Sequence, residues 1–259
     1  MEKYLLEAER VIRSISSVDK PEKWKAKNYV GGGKSRLEFL DIKIPEVRKA
    51  FNQGFSFYHP NTRKIEKKTQ RSEVFTHSQV LKIFDYIWKN SRYFEVMLLS
   101  LYFAATLTAK EKVKNKKLLF SWLNKIDNWA HSDELSNQFA QMLDEDKSLI
   151  RFYKKWNSSS NPWERRQSIV GILYYSRSRK KPLSWSAITP MIENLLADED
   201  YYVQKGVGWC LRESYNLYPE KVFPYLIRKA KKIHPAAWTA STEKLSKGDK
   251  ATLLRYRKN

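Results

Sequence analysis

The chain is poor in the residues that lock a fold covalently. Cys210 is its one cysteine among 259 residues, so no intrachain disulfide can form and nothing points to an oxidising compartment. One cysteine and four histidines without clustered spacing leave no basis for a structural zinc site. No cofactor of any kind is expected. Glycine and proline are sparse, at eight and nine, and alternating β-branched runs are few, which favours helices throughout. The longest apolar run, Met97 to Leu107, is shorter than the ~20 residues of a bilayer span and is interrupted by polar residues, so no membrane partner is expected. The opening stretch MEKYLLEAERVIRSIS carries acids among its apolar positions, unlike a signal or transit peptide. A cytoplasmic, nucleoid-associated location is the expectation. Acidic residues are also scarce: 28 Asp and Glu face 49 Lys and Arg, a net charge of +21.

Hydrophobic residues make up 42% of the chain and aromatic ones 14%, enough to bury a core and to exclude a disordered basic tail. An excess of this size then speaks about partners. Nucleic acid comes first and an anionic membrane surface second.

Periodicity predicts an all-α protein. Residues 2–17 read as an amphipathic helix with Tyr4, Leu5, Ala8, Val11, Ile12 and Ile15 on one face. The stretch Tyr29–Leu40, with Gly31, Gly32 and Gly33, lacks the spacing of a nucleotide-binding loop and reads as a flexible connection. In DIKIPEVRKAF, Pro45 favours a helix start, and Val47, Ala50 and Phe51 begin its buried face. Residues 60–72 are a polar, basic connection. From Thr76, a plausible N-cap, helices are expected over 77–89, 92–108, 113–126, 128–143, 146–156, 162–177, 183–197, 200–216 and 218–232. Short connections between helices of similar length imply stacked pairs. The expectation is one domain, 1–259, built as a degenerate HEAT-like helical-repeat solenoid, an α-α superhelix with a concave basic face. Residues 1–75 form its N-terminal helical segment and linker, 76–232 the paired helices and 233–259 a basic C-terminal cap. Nothing suggests self-association, so a monomer is expected.

Three constellations stand out. In DYYVQKGVGWCLRESY, Val203, Val207 and Cys210 share one helical face, while Lys205, Trp209 and Arg212 share the opposite one. An indole between two cations is either a surface ring covered by their stems or part of a site. In IDNWAHSDELSNQFAQML, Asp127 or Asn128 can cap a helix. Trp129 and Asp133 then stand one turn apart, with small Ser136 and Ala140 further along leaving room for an approaching group. The plainer reading is an indole N–H bonded to the acid. In NPWERRQSIVGIL, Arg166 lies among Ile169, Val170 and Leu173, so it needs a carboxylate or a phosphate. Arg165 lies about 100° round the helix.

These stretches, together with DIKIPEVRKAF and IWKNSRYFEVMLLSLYF, resemble the AlkC/AlkD-type alkylpurine DNA glycosylases over about residues 37–227. The run Gln-Lys-x-x-Gly-Trp-x-Leu-Arg-Glu is the most specific part. The resemblance implies that Trp129 and Trp209 line a concave cleft with Asp133 as the catalytic carboxylate. It assigns Arg212 and Arg166, with Arg165 as the alternative to Arg166, to the cleft's arginines. A long N-terminal segment and Ala130-His131-Ser132 between the Trp and the Asp depart from the pattern, which bears on substrate range. An alkylpurine carrying positive charge is already a good leaving group. Asp133 would therefore stabilise an oxocarbenium-like sugar and orient water. The indoles would offer electron-rich faces, and Arg166, Arg212 and Lys205 would hold phosphates. The implied partner is double-stranded DNA containing alkylated purines. Two other readings remain open on the residues alone: a non-catalytic helical-repeat protein binding bent or branched DNA, and a protein-binding scaffold, which the charge disfavours.

Overall fold

The computed structural model describes residues 1–15, 25–31, 34–60 and 75–258. Among them the regular structure is helical, with isolated backbone bridges only at Glu38–Tyr93 and Phe55–Tyr58. No described helix is long and apolar enough to cross a bilayer. The chain forms two compact units, Met1–His131 and Ser132–Asn259. Residues 16–17 of the first expected helix, Gly32 and Gly33, and residues 61–72 of the basic connection lie outside the described residues.

The first unit contains α1 (Glu2–Ile15), α2 (Ala26–Gly31), α3 (Ile44–Gln53), α4 (His77–Asn90), α5 (Phe94–Thr106), α6 (Ala109–Lys114) and α7 (Lys116–Ser121). Leu5, Ala8 and Ile12 bury the expected face of α1, as Val47, Ala50 and Phe51 do for α3. Thr76 caps α4 in a reciprocal box with Gln79. Every residue of α5 from Phe94 to Ala104 is buried, the behaviour of a helix that is apolar all round. The rings of Phe84 and Phe103 stack at 4.8 Å, and those of Trp88 and Trp122 at 5.2 Å.

Two expectations here need correction. The stretch from Tyr29 is not simply a connection: α2 runs through it to Gly31 and buries Val30, while Ser35 Oγ and Arg36 N–H donate to Asp127. The single helix over 113–126 is broken. It starts earlier, at a Thr108–Glu111 capping box. It stops at Asn115, whose amide donates to the Glu111 carbonyl at 2.8 Å, a side-chain bond that competes with the helical ladder. A 3-10 turn then covers Trp122–Lys125.

The helix α8 (Trp129–Glu145) starts at the end of the first unit and continues in the second, followed by α9 (Ile150–Asn157), α10 (Pro162–Leu173), α11 (Trp185–Asn194), α12 (Tyr201–Leu217), α13 (Pro219–Lys229), α14 (Pro235–Thr242) and α15 (Lys247–Lys258). Boundaries mostly agree with the periodicity to within one turn. The exceptions are α9, which starts at Ile150 rather than 146 after a 3-10 turn over Lys147–Leu149, and α10, which ends at Leu173 rather than 177 because Tyr175 turns left-handed at φ 48°. At the centre lies α12. Val203, Val207 and Cys210 are fully buried as expected, but so are Gln204, Gly206, Gly208, Leu211 and Ser214. The two glycines explain the extra burial. A Cβ on Gly206 would press Val170 and Arg166 of α10, and one on Gly208 would collide with the Ala237 carbonyl of α14. The C-terminal residues close this unit. Arg257 donates to the carbonyls of Ala230 (2.6 Å) and Ile233 (3.0 Å) and lies over the Trp238 ring.

Candidate active site and nucleic-acid interface

The start of α8 is set by Asn128, whose Oδ1 accepts from the His131 N–H at 2.9 Å, an N-cap bond. His131 itself is buried. It stacks on Phe94 at 4.5 Å, with Nε2 3.1 Å from the Phe94 carbonyl and Nδ1 3.1 Å from the Asn128 amide. The carbonyl fixes the tautomer with the proton on Nε2, leaving Nδ1 to accept from the amide. Burial holds the ring's pKa down to about 4, so it stays neutral.

Within the first unit, half-buried Trp129 does not bond the acid one turn on. Its Nε1 donates to the Tyr29 carbonyl at 3.0 Å, and the Tyr29 ring meets it edge-on at 5.3 Å. The small residues beyond Asp133 leave no open space either. Ser136 and Ala140 are both buried, Ser136 against Gln167, whose amide in its better orientation bonds the serine hydroxyl at 2.9 Å. The expected room beside this part of α8 is filled by α10, because a helix this deep in a core packs its small residues too.

The second unit brings two of the other expected residues into direct contact. Asp133 meets Arg166 of α10: Nη2 donates to Oδ1 at 2.7 Å, and Nη1 donates to the Tyr202 carbonyl at 2.8 Å. The guanidinium side chain is 6% exposed and the carboxylate 24%. Arg166 thus finds its counter-charge in Asp133 rather than being left for a phosphate. Asp133 Oδ2 makes no hydrogen bond among the described residues. The result is a carboxylate held in place by one oxygen and presented by the other.

Trp209, half-buried on α12, stacks on Tyr174 at 5.4 Å and 27°. The Tyr174 phenol is pushed far above the usual range, first by burial and then by the negative charge of Asp133. Arg212 lies 5.8 Å from the Trp209 ring centre and pairs with Glu243 at 2.7 Å. Lys205, one turn before Trp209, makes no ion pair among the described residues. Arg165 is committed elsewhere. Its Nε and Nη2 clamp Asp198 at 2.5 and 3.1 Å, and Nη1 caps the Ser159 and Ser160 carbonyls. Its expected DNA-binding place is thus taken by a staple across α10 and the loop before α12.

Reading the sequence missed Tyr174, Tyr202 and Trp163. The last two stack at 5.2 Å beside Arg166. The usable signal was a pair of tyrosines directly before Ser-Arg-Ser-Arg-Lys-Lys, hidden by running the helix through it.

The family model for DNA alkylation repair enzyme matches residues 17–245. The chain belongs to that family. A solved structure described as a predicted DNA alkylation repair enzyme from Enterococcus faecalis aligns over 82% of this chain and 90% of its own, with a TM-score of 0.57 and 15% identity. At that identity the likeness concerns the fold, which the two share. No curated protein matches the chain. Family membership ties the chain to repair of alkylated DNA and makes DNA its expected ligand, in keeping with the charge of +21.

Proposed function

We propose that this member of the family is a monofunctional DNA glycosylase, which hydrolyses the N-glycosidic bond of cationic N3- or N7-alkylated purines in duplex DNA. The observation that carries the reading is Asp133: one oxygen pinned by a buried arginine, the other unpartnered, on a side chain open to solvent. The structural acid Asp198, by contrast, has both oxygens taken by the Arg165 guanidinium.

An alkylated cationic purine departs without protonation, so the enzyme must stabilise the sugar cation left behind and place a water. The free Oδ2 supplies negative charge and accepts a proton from that water as it attacks the anomeric carbon. Arg166 holds the carboxylate in orientation; preorganisation of this kind is worth several kcal/mol in typical sites. Trp209, backed by Tyr174, offers its remaining aromatic surface to the cationic sugar, and Trp129 stands one turn before Asp133 on α8. Lys205 is the cation of this set that is free to hold a phosphate, and Arg212 could exchange Glu243 for one.

The test is release of 7-methylguanine from methylated duplex DNA by wild type and Asp133→Asn. Release by wild type alone supports the assignment. Full activity in the variant overturns the role of Asp133. No release by either, with salt-sensitive DNA binding, leaves a non-catalytic DNA-binding helical protein.

A further inference from the structure

Tyr175 is built at a cost. Its φ of 48° and ψ of 63° put a bulky side chain in the left-handed region, which glycine and asparagine enter far more readily. Burial does not offset the strain, since the residue is 61% exposed. Strained residues persist where the surroundings over-determine them, often at ligand contacts.

Here two acids do the over-determining. Glu213, buried on α12 in the Leu-Arg-Glu motif, accepts from Ser176 N–H at 2.9 Å and Ser176 Oγ at 2.7 Å. Asp144 at the end of α8 accepts from Arg179 Nη2 at 2.5 Å, from its Nε at 3.1 Å and from the Lys180 N–H at 3.0 Å. Arg179 also donates to the Ala140 carbonyl. Around these two pins the turn faces outward with Tyr175, Arg177, Lys180 and Lys181 exposed. The Tyr175 ring meets Tyr174 edge-on at 4.6 Å, and Tyr174 stacks on Trp209. The exposed ring is therefore the outer end of an aromatic row that starts at the candidate active site.

We propose that residues 175–181 form a nucleotide-gripping turn, in which Tyr175 stacks on a base that has left the helical stack and Arg177, Lys180 and Lys181 neutralise the flanking phosphates. A rigidly held ring among cations is how proteins hold nucleotides without reading sequence. An intact duplex offers few aromatic faces, so the ring adds affinity where the stack is disturbed. The inference rests on the reading of the protein as acting on DNA, not on its catalysing base release.

The experiment uses the full chain with Tyr175→Gly and Tyr175→Phe, titrated against a duplex holding a tetrahydrofuran abasic-site analogue and against the same duplex undamaged. Glycine suits the positive φ, so Tyr175→Gly should melt no lower than wild type. It should lose about ten-fold in affinity for the analogue duplex, the scale of one stacked base, and much less for the undamaged one. Tyr175→Phe should behave as wild type. Replacing Arg177, Lys180 and Lys181 together by alanine should weaken both complexes and flatten the salt dependence by roughly two to three units of slope. Unchanged binding by Tyr175→Gly overturns the proposal, and so does a melting temperature several degrees lower, since the ring would then be structural. Wild type that releases no methylpurine while Tyr175→Gly still weakens the analogue complex sinks the glycosylase reading and keeps the turn. Release intact beside unchanged Tyr175→Gly binding does the reverse.

Discussion

Each of the two units holds an acid against its packed helices, and the two are treated in opposite ways. Glu95, on α5 of the first unit, is fully buried. Its oxygens accept from the Leu40 N–H at 3.1 and 3.0 Å and from the Ile42 N–H at 3.3 Å. Burial raises its pKa, and the bonds tie an extended segment to the helix. Asp133, on α8 in the second unit, meets a cation, keeps one oxygen unbonded and stays open to water. Glu95 is thus saturated by fixed donors, whereas Asp133 is held by a single counter-charge and left incomplete, as its proposed role requires. The same contrast separates Arg165, saturated by Asp198 and two carbonyls, from Lys205.

The contrast breaks most sharply at Asp133. Asp133→Asn keeps an oxygen for Arg166 but removes the charge. It should lower the rate of methylpurine release by about 10²–10³-fold, the scale of losing one preorganised electrostatic partner, while circular dichroism shows the fold retained and DNA binding is unchanged or tighter. The next effect lies in the first unit. His131 has its pKa lowered from 6.5 to about 4 by burial, so the folded state binds fewer protons there than the unfolded state. The stability this confers is fully present above pH 6.5 and is lost as pH falls toward 4, amounting to about 3 kcal/mol over the window. Glu95, with its pKa raised, runs the other way: its contribution is complete at low pH and lost as pH rises through its folded value. Urea midpoints should therefore fall steeply in wild type as pH is lowered from 6.5 to 4, and less steeply in His131→Phe.

Glu95→Ala should cost about 1–3 kcal/mol by stranding the Leu40 and Ile42 amides, with activity per folded molecule unchanged. A loss of activity comparable to that of Asp133→Asn would erase the distinction between the two acids. The smallest effect should come from Arg166→Lys. Lysine keeps the charge but cannot span Asp133 and the Tyr202 carbonyl with a fixed fork. A fall of about ten-fold in release rate is expected, with the stability change near 1 kcal/mol.

Much of this was open to reading in one dimension. Thr76 and Asn128 are small polar residues ahead of apolar periods, and both cap helices as that position predicts. Val203, Val207 and Cys210 point inward because a 3.6-residue repeat leaves them no other face. The need of Arg166 for a carboxylate or a phosphate followed from its apolar neighbours; that it is the carboxylate of Asp133 did not. The failures share a cause as well. Asn115 and Tyr175 interrupt helices through one side-chain bond and one left-handed residue, neither of which alters the hydrophobic period. Ser136 and Ala140 suggested open space, when in a packed core small residues more often admit a neighbouring helix.

Charge, composition and helical repeat are sums over the chain, and sums survive without coordinates: the all-α class, the polyanion partner and the family motifs belong to the sequence by itself. Which acid is braced and which is left open, which arginine is spent on a loop, and which tyrosine is pushed outward are pairwise matters. They depend on residues 33 to 39 positions apart meeting at 2.5 to 2.9 Å, and only tertiary packing decides distances on that scale.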